Sequence, residues 1–325
     1  MKKATVVIPN YNGRHFLKDC LDSLRHQDTD EFTVLVVDNA SSDGSVPFIT
    51  ENYPEVKVLV MEENLGFSGG VNAGILASET PYVILLNNDT ESDPHYVKAL
   101  IGAMDKDPKL FSVSPKMVQF HQRDKLDDAG DGYTVTGWGF QRGLDRDTDD
   151  PAYNKPCSVF TACAGAAIYR RAVFDKIGLF DTAHFAYLED IDIGYRARIY
   201  GYRNVYEPSA VVYHVGSGTS GSKYNDFKVK LAARNNLYLI YKNMPVLQRI
   251  VNALPLYLGQ AVKAGYFKKI GFLDTYKEGL KEGRKKRKSL KRVPFRVSHL
   301  ANYFLIEGFL IKDMFVYTRE YLKRH

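Results

Sequence analysis

Cysteine is scarce in this chain, and its three cysteines are odd in number and widely spaced in the sequence, which does not suggest a disulfide framework. Cys20, Cys157 and Cys163 make no CxxC pair and no Cys/His spacing of the kind that binds zinc. These observations exclude a disulfide-stabilised miniprotein and a zinc module. Reduced, unpaired cysteines are typical of cytosolic proteins, so we expect the chain to reside in the cytoplasm.

Long hydrophobic runs are also missing. The amino-terminal stretch MKKATVVIPN has only a short apolar segment before Pro9, too short for the core of a signal peptide. Arg249, Pro255 and Glu307 interrupt the most apolar segments near the carboxyl end. None of these segments approaches the roughly 18 apolar residues that a membrane-spanning helix needs. The sequence therefore predicts neither secretion nor a membrane span, although contact with a membrane surface stays open.

Charge is distributed unevenly along the chain. Residues 1–225 contain 22 Lys/Arg against 31 Asp/Glu, a net charge of −9, whereas residues 226–325 contain 22 against 7, a net charge of +15. An acidic body suits metal and hydroxyl chemistry, and a basic tail suits phosphate-bearing polymers or an anionic membrane. The sequence thus predicts two regions with different partners.

The order of apolar segments predicts an α/β protein. Short β-branched runs such as Thr5–Ile8 and Thr33–Val37 alternate with segments of helical periodicity as far as residue 118. This alternation indicates a buried, mainly parallel sheet with flanking helices. Residues 121–156 have no regular period and predict a long loop or irregular hairpin, and the chain beyond Gly221 predicts basic, aromatic helices.

Polar side chains cluster where the predicted strands end. PNYNG follows the first strand, DNASSDG the second, ENLG the third and NND the fourth. Each motif alone is compatible with an ordinary turn or helix cap. Because ligands bind beyond the carboxyl ends of parallel strands, the four motifs together predict one ligand site. A dinucleotide fold and a P-loop are excluded, since GxGxxG does not follow the first strand and GxxxxGK[ST] does not occur.

Six motifs in a fixed order give the sequence a family resemblance. They are VVIPNYNG at 6–13, VVDNASSDGS at 36–45, NLGFSGGVNAG at 64–74, LLNND at 85–89, FDTAHFAYLEDIDIGYRARIYGYR at 180–203 and AVVYHVGSGTS at 210–220. With them, the chain resembles glycosyltransferase family 2, the inverting nucleotide-sugar transferases of GT-A fold. It is most similar to bacterial rhamnosyltransferase-type members, which share a segment like RNNLYLIYKNMP at 234–245.

The resemblance implies a domain organisation and an activity. Residues 1–222 would form the GT-A catalytic domain, a Rossmann-like mixed, mainly parallel sheet with a nucleotide half of about 1–118 and an acceptor half of about 119–222. Residues 223–325 would form a helical, basic C-terminal region. The implied reaction moves one sugar from dTDP-rhamnose or a UDP-sugar to a hydroxyl of a glycan or lipid-linked acceptor in cell-surface polysaccharide synthesis. The QxxRW signature of processive synthases is absent, so we expect single additions.

The resemblance also assigns the donor site residue by residue. Binding of the nucleotide sugar is assigned to Pro9, Tyr11, Asp38, Asn64, Phe67, Asn72, Asn87 and Asn88. In the family, a DxD-like motif after the fourth strand holds a divalent cation on the diphosphate, and here that motif reads Asn87-Asn88-Asp89. Asp89 and His214 would therefore bind Mg²⁺ or Mn²⁺ together with phosphate oxygens.

The catalytic acidic pair of the family matches Glu189-Asp190. Inverting transfer needs one carboxylate to accept the proton of the acceptor hydroxyl, and we assign this role to Asp190. Glu189 would orient the acceptor or a neighbouring backbone group. Without the resemblance, acidic residues here would only interact favourably with a helix dipole. Trp138, the only tryptophan, would stack on an acceptor sugar, with core packing as the alternative.

Two other function classes stay open at this point. A nucleotidyltransferase can use a similar sheet and acidic cluster, although PNYNG does not supply the Gly-rich phosphate loop expected after the first strand. The polybasic stretch GRKKRKSLKR at 283–292 also suits a protein that only binds nucleic acid or membrane. Because nucleic-acid binding leaves the acidic body unexplained, we expect no nucleic acid. We expect peripheral attachment at the inner face of the cell membrane, and homo-oligomerisation stays open.

Overall fold

A computed structural model describes residues 1–216 and 224–324 of the chain. The end of the last predicted motif, residues 217–220, lies outside the described residues. The first part of the chain contains β1 (Ala4–Asn10), α1 (Arg14–Arg25), β2 (Phe32–Asp38), α2 (Ser45–Asn52), β3 (Lys57–Val60), α3 (Gly66–Ala77), β4 (Tyr82–Leu86), β5 (Thr90–Ser92), α4 (Tyr96–Asp105) and β6 (Leu110–Gln119). The predicted alternation of strands and helices is confirmed over this part.

The second part adds short strands and then helices. Its elements are β7 (Leu126–Asp128), β8 (Asp131–Tyr133), β9 (Gly139–Gln141), β10 (Cys157–Ser158), β11 (Ala166–Arg170), α5 (Arg171–Ile177), α6 (Glu189–Ile199), β12 (Arg203–His214), α7 (Asp226–Asn243), α8 (Val246–Val251), α9 (Ala253–Lys269), α10 (Leu273–Lys286) and α11 (Leu300–Arg324). The predicted helical C-terminal region is confirmed. The polar segment 121–156 contains an antiparallel hairpin of β8 and β9, and β7 pairs with β6.

The central sheet has the strand order β10-β12-β6-β11-β4-β1-β2-β3. Strands β4, β1, β2 and β3 are parallel, and β6 and β12 are parallel to each other. Between these two groups, β11 runs antiparallel to both β4 and β6. The predicted mixed, mainly parallel sheet is thus confirmed. The register pairs Asn10 with Asp38, so polar residues at two strand ends lie side by side.

Helices cover both faces of the sheet. Val6 and Ile8 of β1 pack into one core cluster with Leu17 and Leu21 of α1. The intervening Val7 packs on the opposite face, in a cluster that also contains residues of α3 and α5. Successive side chains of a strand point to opposite faces, which explains why β1 reads as a continuous apolar run.

The C-terminal helices share a third core cluster with the preceding part of the chain. Tyr133 of β8 and Ile191 of α6 pack there with Leu239 of α7 and Leu310 of α11. Asp313 of α11 accepts the backbone N–H of Tyr133 through Oδ2 at 3.1 Å. Residues on both sides of position 222 therefore contribute to one core.

Three C-terminal helices also expose apolar side chains. On α9, Leu254, Tyr257, Leu258 and Val262 follow helical spacing and are at least half exposed, so they form one stripe. Helices α8 and α11 expose further residues of this kind, namely Leu247, Ile250, Phe304, Ile311, Phe315 and Leu322. In the part of the chain that the structure describes, no helix is both long and apolar enough to cross a bilayer.

Candidate active site

A chain of side-chain hydrogen bonds joins the ends of β1, β2 and β4. Asn10 donates from Nδ2 to Asp38 Oδ2 at 2.9 Å, and Asn88 donates from Nδ2 to Asn10 Oδ1 at 2.7 Å. Asp38 also accepts the backbone N–H of Ser41 through Oδ1 at 2.9 Å. Asn10, Asp38 and Asn88 are all buried, where polar groups need partners. The structure therefore brings Asp38 and Asn88 together through Asn10, to which the sequence analysis gave no role.

Pro9 and Tyr11 flank Asn10 at the end of β1. The side chain of Tyr11 is 40% exposed and can contact a ligand, whereas Pro9 is partly buried. The chain then passes very close to the end of β4, because a Cβ at Gly13 would lie 2.0 Å from Asn88 Nδ2. Any larger residue at position 13 would force the Asn88 side chain to shift, so glycine lets the PNYNG loop pass directly against the NND motif.

The NLGF loop after β3 contacts the segment that precedes the acidic pair. A Cβ at Gly66 would lie 2.6 Å from the Phe185 ring, and Gly66 has a φ of +70°. Both the positive φ and the close approach require glycine here. Asn64 stabilises the turn by accepting the Gly66 N–H at 2.9 Å. Phe67 is partly buried against the core, so Asn64 and Phe67 lie at the junction of the two loops.

Two of the predicted donor-site asparagines have structural partners. Asn72 is buried, and its side chain makes both hydrogen bonds with the Phe180 backbone, donating to the carbonyl at 2.8 Å and accepting the N–H at 3.0 Å. It therefore fastens the segment around Phe180 to α3, a role that the sequence analysis did not predict. Asn87 is partly buried, and its backbone N–H donates to Gly165 O at 2.7 Å.

His214 lies at the end of β12 between two carboxylates. Its Nε2 is 3.4 Å from Asp89 Oδ1, and its Nδ1 is 2.7 Å from Asp127 Oδ2. Burial opposes protonation of the imidazole, but hydrogen bonds to Asp127 and Asp89 outweigh burial and raise the pKa of His214 to about 10. The structure thus brings the two predicted metal ligands together and adds Asp127 behind them.

The donor set of Asp89 and His214 fits a divalent cation. Carboxylate oxygens suit both Mg²⁺ and Mn²⁺, and proteins also bind transition metals through imidazole nitrogens. Asp127 binds the far ring nitrogen of His214, as carboxylates do behind metal-bound histidines, and so fixes the orientation of the ring. A cation between Asp89 and His214 would replace the proton that the two aspartates otherwise favour on the imidazole.

Glu189 and Asp190, the acidic pair, form the first turn of α6. Asp190 Oδ1 accepts the Ile191 N–H at 2.7 Å, which fixes the carboxylate at a helix N-terminus. Glu189 is 7% exposed, and its Oε2 has no hydrogen-bond partner among the described residues. Burial, together with the charge of Asp190, raises the pKa of Glu189 to about 8. Glu189 is therefore mostly protonated at neutral pH, which favours Asp190 as the base.

Two further carboxyl groups lie beside Asp190. The carboxyl groups of Asp131 and Asp190 interact electrostatically. The ligand atoms of Asp128, Asp131 and Cys163 lie within 4.8 Å of one another, a second group that could hold a cation. Burial and neighbouring charges raise the pKa of Asp128 to about 7 and also raise the pKa of Asp131. Burial likewise raises the pKa of Asp190, which makes it a better proton acceptor than an exposed aspartate.

Trp138 packs against the C-terminal helices. Its Nε1 donates to Gly259 O in α9 at 3.1 Å, and its ring meets the ring of Tyr317 in α11 edge-on, with centroids 5.2 Å apart. These contacts join the β8–β9 hairpin to α9 and α11. They are consistent with a packing role for Trp138, the alternative that the sequence analysis gave. Stacking of Trp138 on an acceptor sugar stays a prediction.

The sequence analysis assigned no role to Asn10, Asp127, Asp128 or Asp131. Asn10 stands inside the PNYNG motif, and the three aspartates belong to the run DDAGD at 127–131. One sequence feature could have identified the three aspartates: they form a group of carboxylates within a long segment that lacks strand or helix periodicity. Such long segments in compact domains are usually functional. The pairing of Asp127 with His214 joins residues 87 positions apart, which no local pattern indicates.

Known glycosyltransferases are similar to this chain. The family model "Glycosyl transferase family 2" matches residues 5–178, more than half of the chain. N-acetylglucosaminyl-diphospho-decaprenol L-rhamnosyltransferase of Mycobacterium tuberculosis is 27% identical over 237 residues, covering 66% of this chain and 77% of that protein. This match bears out the resemblance to rhamnosyltransferase-type members.

Solved structures share the fold. GalNAc-T7 with UDP, GalNAc and Mn²⁺ matches with a TM-score of 0.59 and 15% identity, covering 74% of this chain and 48% of that one. S. aureus TarS 1–349 in complex with UDP-GlcNAc matches with a TM-score of 0.55 and 18% identity, covering 78% and 70%. The chain therefore belongs to glycosyl transferase family 2 and is a glycosyltransferase that uses nucleotide-sugar donors.

Proposed function

We propose that the chain is an inverting, metal-dependent glycosyltransferase that moves one sugar from dTDP-rhamnose or a UDP-sugar to a hydroxyl of a glycan or lipid-linked acceptor in cell-surface polysaccharide synthesis. The observation that carries this proposal is the position of residues 127–131. Asp127 Oδ2 lies 2.7 Å from His214 Nδ1, and the carboxyl group of Asp131 interacts electrostatically with that of Asp190. One short segment thus interacts with both a cation ligand and the proposed catalytic base, which supports a single site for the diphosphate and the acceptor.

On the donor side, the buried hydrogen-bond network of Asp38, Asn10 and Asn88 fixes the loops around the nucleoside. The exposed ring of Tyr11 contacts the nucleobase. Asp89 and His214 would hold the cation, which would supply positive charge to neutralise the leaving diphosphate.

On the acceptor side, Asp190 accepts the proton of the hydroxyl while the oxygen attacks the anomeric carbon. The bond from that carbon to the diphosphate oxygen breaks, and the nucleoside diphosphate leaves with the bonding electrons. Attack opposite to the leaving group inverts the anomeric configuration. Protonated Glu189 donates a hydrogen bond that orients the acceptor, consistent with its raised pKa of about 8.

The M. tuberculosis relative supports the choice of donor and acceptor. Its name describes rhamnose transfer to a decaprenol-linked N-acetylglucosaminyl diphosphate. We extend this substrate class to the present chain, with dTDP-rhamnose as the first donor to test and a polyprenyl-diphosphate-linked sugar as the first acceptor.

A screen of donors tests the proposal. Thermal unfolding is measured with UDP-sugars and dTDP-sugars, with Mn²⁺ or with EDTA, because a ligand that binds only the folded state raises the melting temperature. For each stabilising donor, release of nucleoside diphosphate is then measured with and without acceptor. We expect acceptor-stimulated release that requires Mn²⁺. Release of pyrophosphate from a nucleoside triphosphate and a sugar phosphate, without sugar transfer, would instead identify a nucleotidyltransferase.

A lipid-linked acceptor requires the enzyme to reach a membrane, and the C-terminal helices carry suitable groups. Seven basic residues occupy nine positions in 284–292, near the exposed apolar stripe of α9 in the sequence. Each basic residue near an anionic surface contributes about 1 kcal/mol, and buried apolar side chains add to this. We therefore propose peripheral attachment to the anionic cytoplasmic face of the cell membrane.

Point variants test attachment without unfolding the C-terminal core. Leu254→Glu with Leu258→Glu places charges on the stripe, and Leu76→Glu is the matched control because Leu76 is 65% exposed on the catalytic part. We expect the full chain to bind phosphatidylglycerol vesicles at low salt, the control to bind equally and the stripe variant to lose binding. Salt should weaken binding by screening the basic residues. A wild-type chain that ignores these vesicles, or a stripe variant that changes only the oligomeric state, would contradict membrane attachment.

A further inference from the structure

Helix α7 follows the expected catalytic domain, yet it contacts the segment just before Glu189. Asn235 of α7 is fully buried. Its Nδ2 donates to three carbonyl groups, those of His184 at 3.0 Å, Ala186 at 2.8 Å and Tyr187 at 2.8 Å. A side-chain amide has two N–H hydrogens, so at least one of them is shared between two carbonyls. One side chain thus binds most of the turn that leads into the acidic pair.

Arg234 binds the start of the same turn. Its Nη2 donates to the carbonyls of Ala183 at 3.2 Å and His184 at 2.9 Å. Its Nη1 lies 3.5 Å from Glu282 Oε1, so α10 orients the guanidinium. Hydrogen bonds from a charged donor are stronger than those from a neutral one, which makes Arg234 a second firm attachment.

The backbone that these residues bind is strained. Residues 183–188, the strained segment, include three non-glycine residues with positive φ, namely Phe185 at 63°, Tyr187 at 71° and Leu188 at 65°. Side chains with a Cβ rarely adopt this region, because the Cβ then crowds the neighbouring backbone. Such conformations persist only where the surroundings fix them. The strained segment therefore depends on its hydrogen bonds for the geometry that it gives to the acidic pair.

The far end of α7 binds the chain on both sides of the acidic pair. Lys242 Nζ lies 3.0 Å from Asp192 Oδ2 and 2.6 Å from Asp181 Oδ2. Asn243 donates to Asp192 Oδ1 at 2.7 Å. Asp192 is fully buried, so it needs these partners. Helix α7 thus contacts the chain both before and after Glu189 and Asp190.

We propose that Asn235 and Arg234 are positioning residues for Asp190, which hold the strained segment so that the carboxylate reaches the acceptor hydroxyl. This inference rests on the proposed role of Asp190 as base. It gives the RNN motif of the C-terminal region a part in catalysis, separate from membrane attachment. Misplacing a reacting group by about 1 Å can cost on the order of 10²-fold in rate. Loss of these contacts should therefore lower kcat and leave donor binding intact.

Asn235→Ala tests this role. For transfer from dTDP-rhamnose we expect kcat to fall by about 10²-fold, with the donor KM changed by less than about twofold. The matched control is Asn236→Ala, because Asn236 is the next residue on α7 and its Oδ1 accepts from Tyr133 Oη at 2.8 Å instead. An unchanged kcat in Asn235→Ala, or an equal loss in both variants, would overturn the proposal.

Hydrogen–deuterium exchange gives a readout that needs no activity. The N–H groups of His184, Phe185 and Ala186 are hydrogen bonded within the chain around them, so local opening controls their exchange. We expect Asn235→Ala to speed exchange here and not in β1. Faster exchange combined with full transfer by Asp190→Asn would support the α7 contacts and remove Asp190 from the role of base. Unchanged exchange combined with an inactive Asp190→Asn would support Asp190 as the base and refute the positioning role of the α7 contacts.

Leu188→Gly tests the strain itself. Glycine adopts a positive φ at no steric cost, so the segment should then depend less on Asn235. We expect Asn235→Ala to lower kcat by a smaller factor in the Leu188→Gly background than in the wild type, and an equal factor would refute the strain argument. If Asn235→Ala does not fold, Arg234→Gln replaces it with the same measurements, because Arg234 is only partly buried.

Discussion

Replacement of Asp190 by asparagine removes the proposed base and keeps the shape of its site. The amide oxygen can still accept the Ile191 N–H, which lies 2.7 Å from Asp190 Oδ1 in the wild type. The new NH₂ group can donate to Asp131, the carboxyl partner of Asp190. An amide cannot take up the proton of the acceptor hydroxyl. Folding and donor binding should therefore survive in Asp190→Asn while transfer is lost.

The size of the loss follows from the environment of Asp190. General-base catalysis contributes ~10²–10⁴-fold, which is about 3–5 kcal/mol of transition-state stabilisation. Burial raises the pKa of Asp190, so its carboxylate is a stronger base than an exposed aspartate. We therefore expect a loss in the upper half of that range, on the order of 10³-fold or more.

The assay measures transfer of labelled sugar to acceptor, with donor affinity measured separately by calorimetry. Asp149→Asn is the matched control, since Asp149 is an exposed carboxylate in the polar segment and its change alters charge alone. Asp190→Asn should bind donor like the wild type and transfer almost none. A loss of kcat smaller than about tenfold would remove Asp190 from the role of base.

Three further predictions concern the rest of the site. Asp89→Ala and His214→Ala should each weaken donor binding in Mn²⁺ but not in EDTA, and unchanged metal dependence in both variants would sink the cation assignment. Asp38→Ala should weaken binding of UDP or dTDP even without metal, because this carboxylate orders the loop after β2; a loss seen only with metal would place Asp38 elsewhere. Glu189→Gln should gain stability over the wild type as pH rises from about 4.5 to about 8. Over that interval Glu189 ionises in the unfolded wild type, whereas the folded protein, in which burial raises its pKa to about 8, keeps the proton, so the wild type loses stability. The difference in unfolding free energy should grow by ~1.4 kcal/mol per pH unit. The same pH dependence of the melting temperature in both proteins would contradict this prediction.

The fold was largely predictable because its signals are local. The apolar runs of β1, β2 and β4 are buried on both faces, so their strand character is visible in the sequence. The turn residues after them mark where each strand ends. The antiparallel position of β11 between β4 and β6 was not predictable, because it depends on pairing between distant segments.

The site was predictable where motifs lie at strand ends and not where distant segments meet. Asp38 ends β2, Asn88 follows β4, and both bind the Asn10 side chain. Asp127 comes from a segment without periodicity, and its contact with His214 is visible only in three dimensions. Asn72 shows a different limit of sequence analysis. A polar residue within a motif looks the same in the sequence whether it binds a ligand or binds the protein backbone, and here it binds the backbone of Phe180.

The anomeric configuration of the product tests the central claim most directly. The wild-type enzyme is supplied with dTDP-rhamnose, Mn²⁺ and a polyprenyl-diphosphate-linked sugar, and the new glycosidic bond is examined by the one-bond carbon–proton coupling at the anomeric centre. Direct attack by an acceptor deprotonated by Asp190 predicts inversion relative to the donor, with one sugar added per acceptor. Retention of configuration would contradict a single displacement with Asp190 as base.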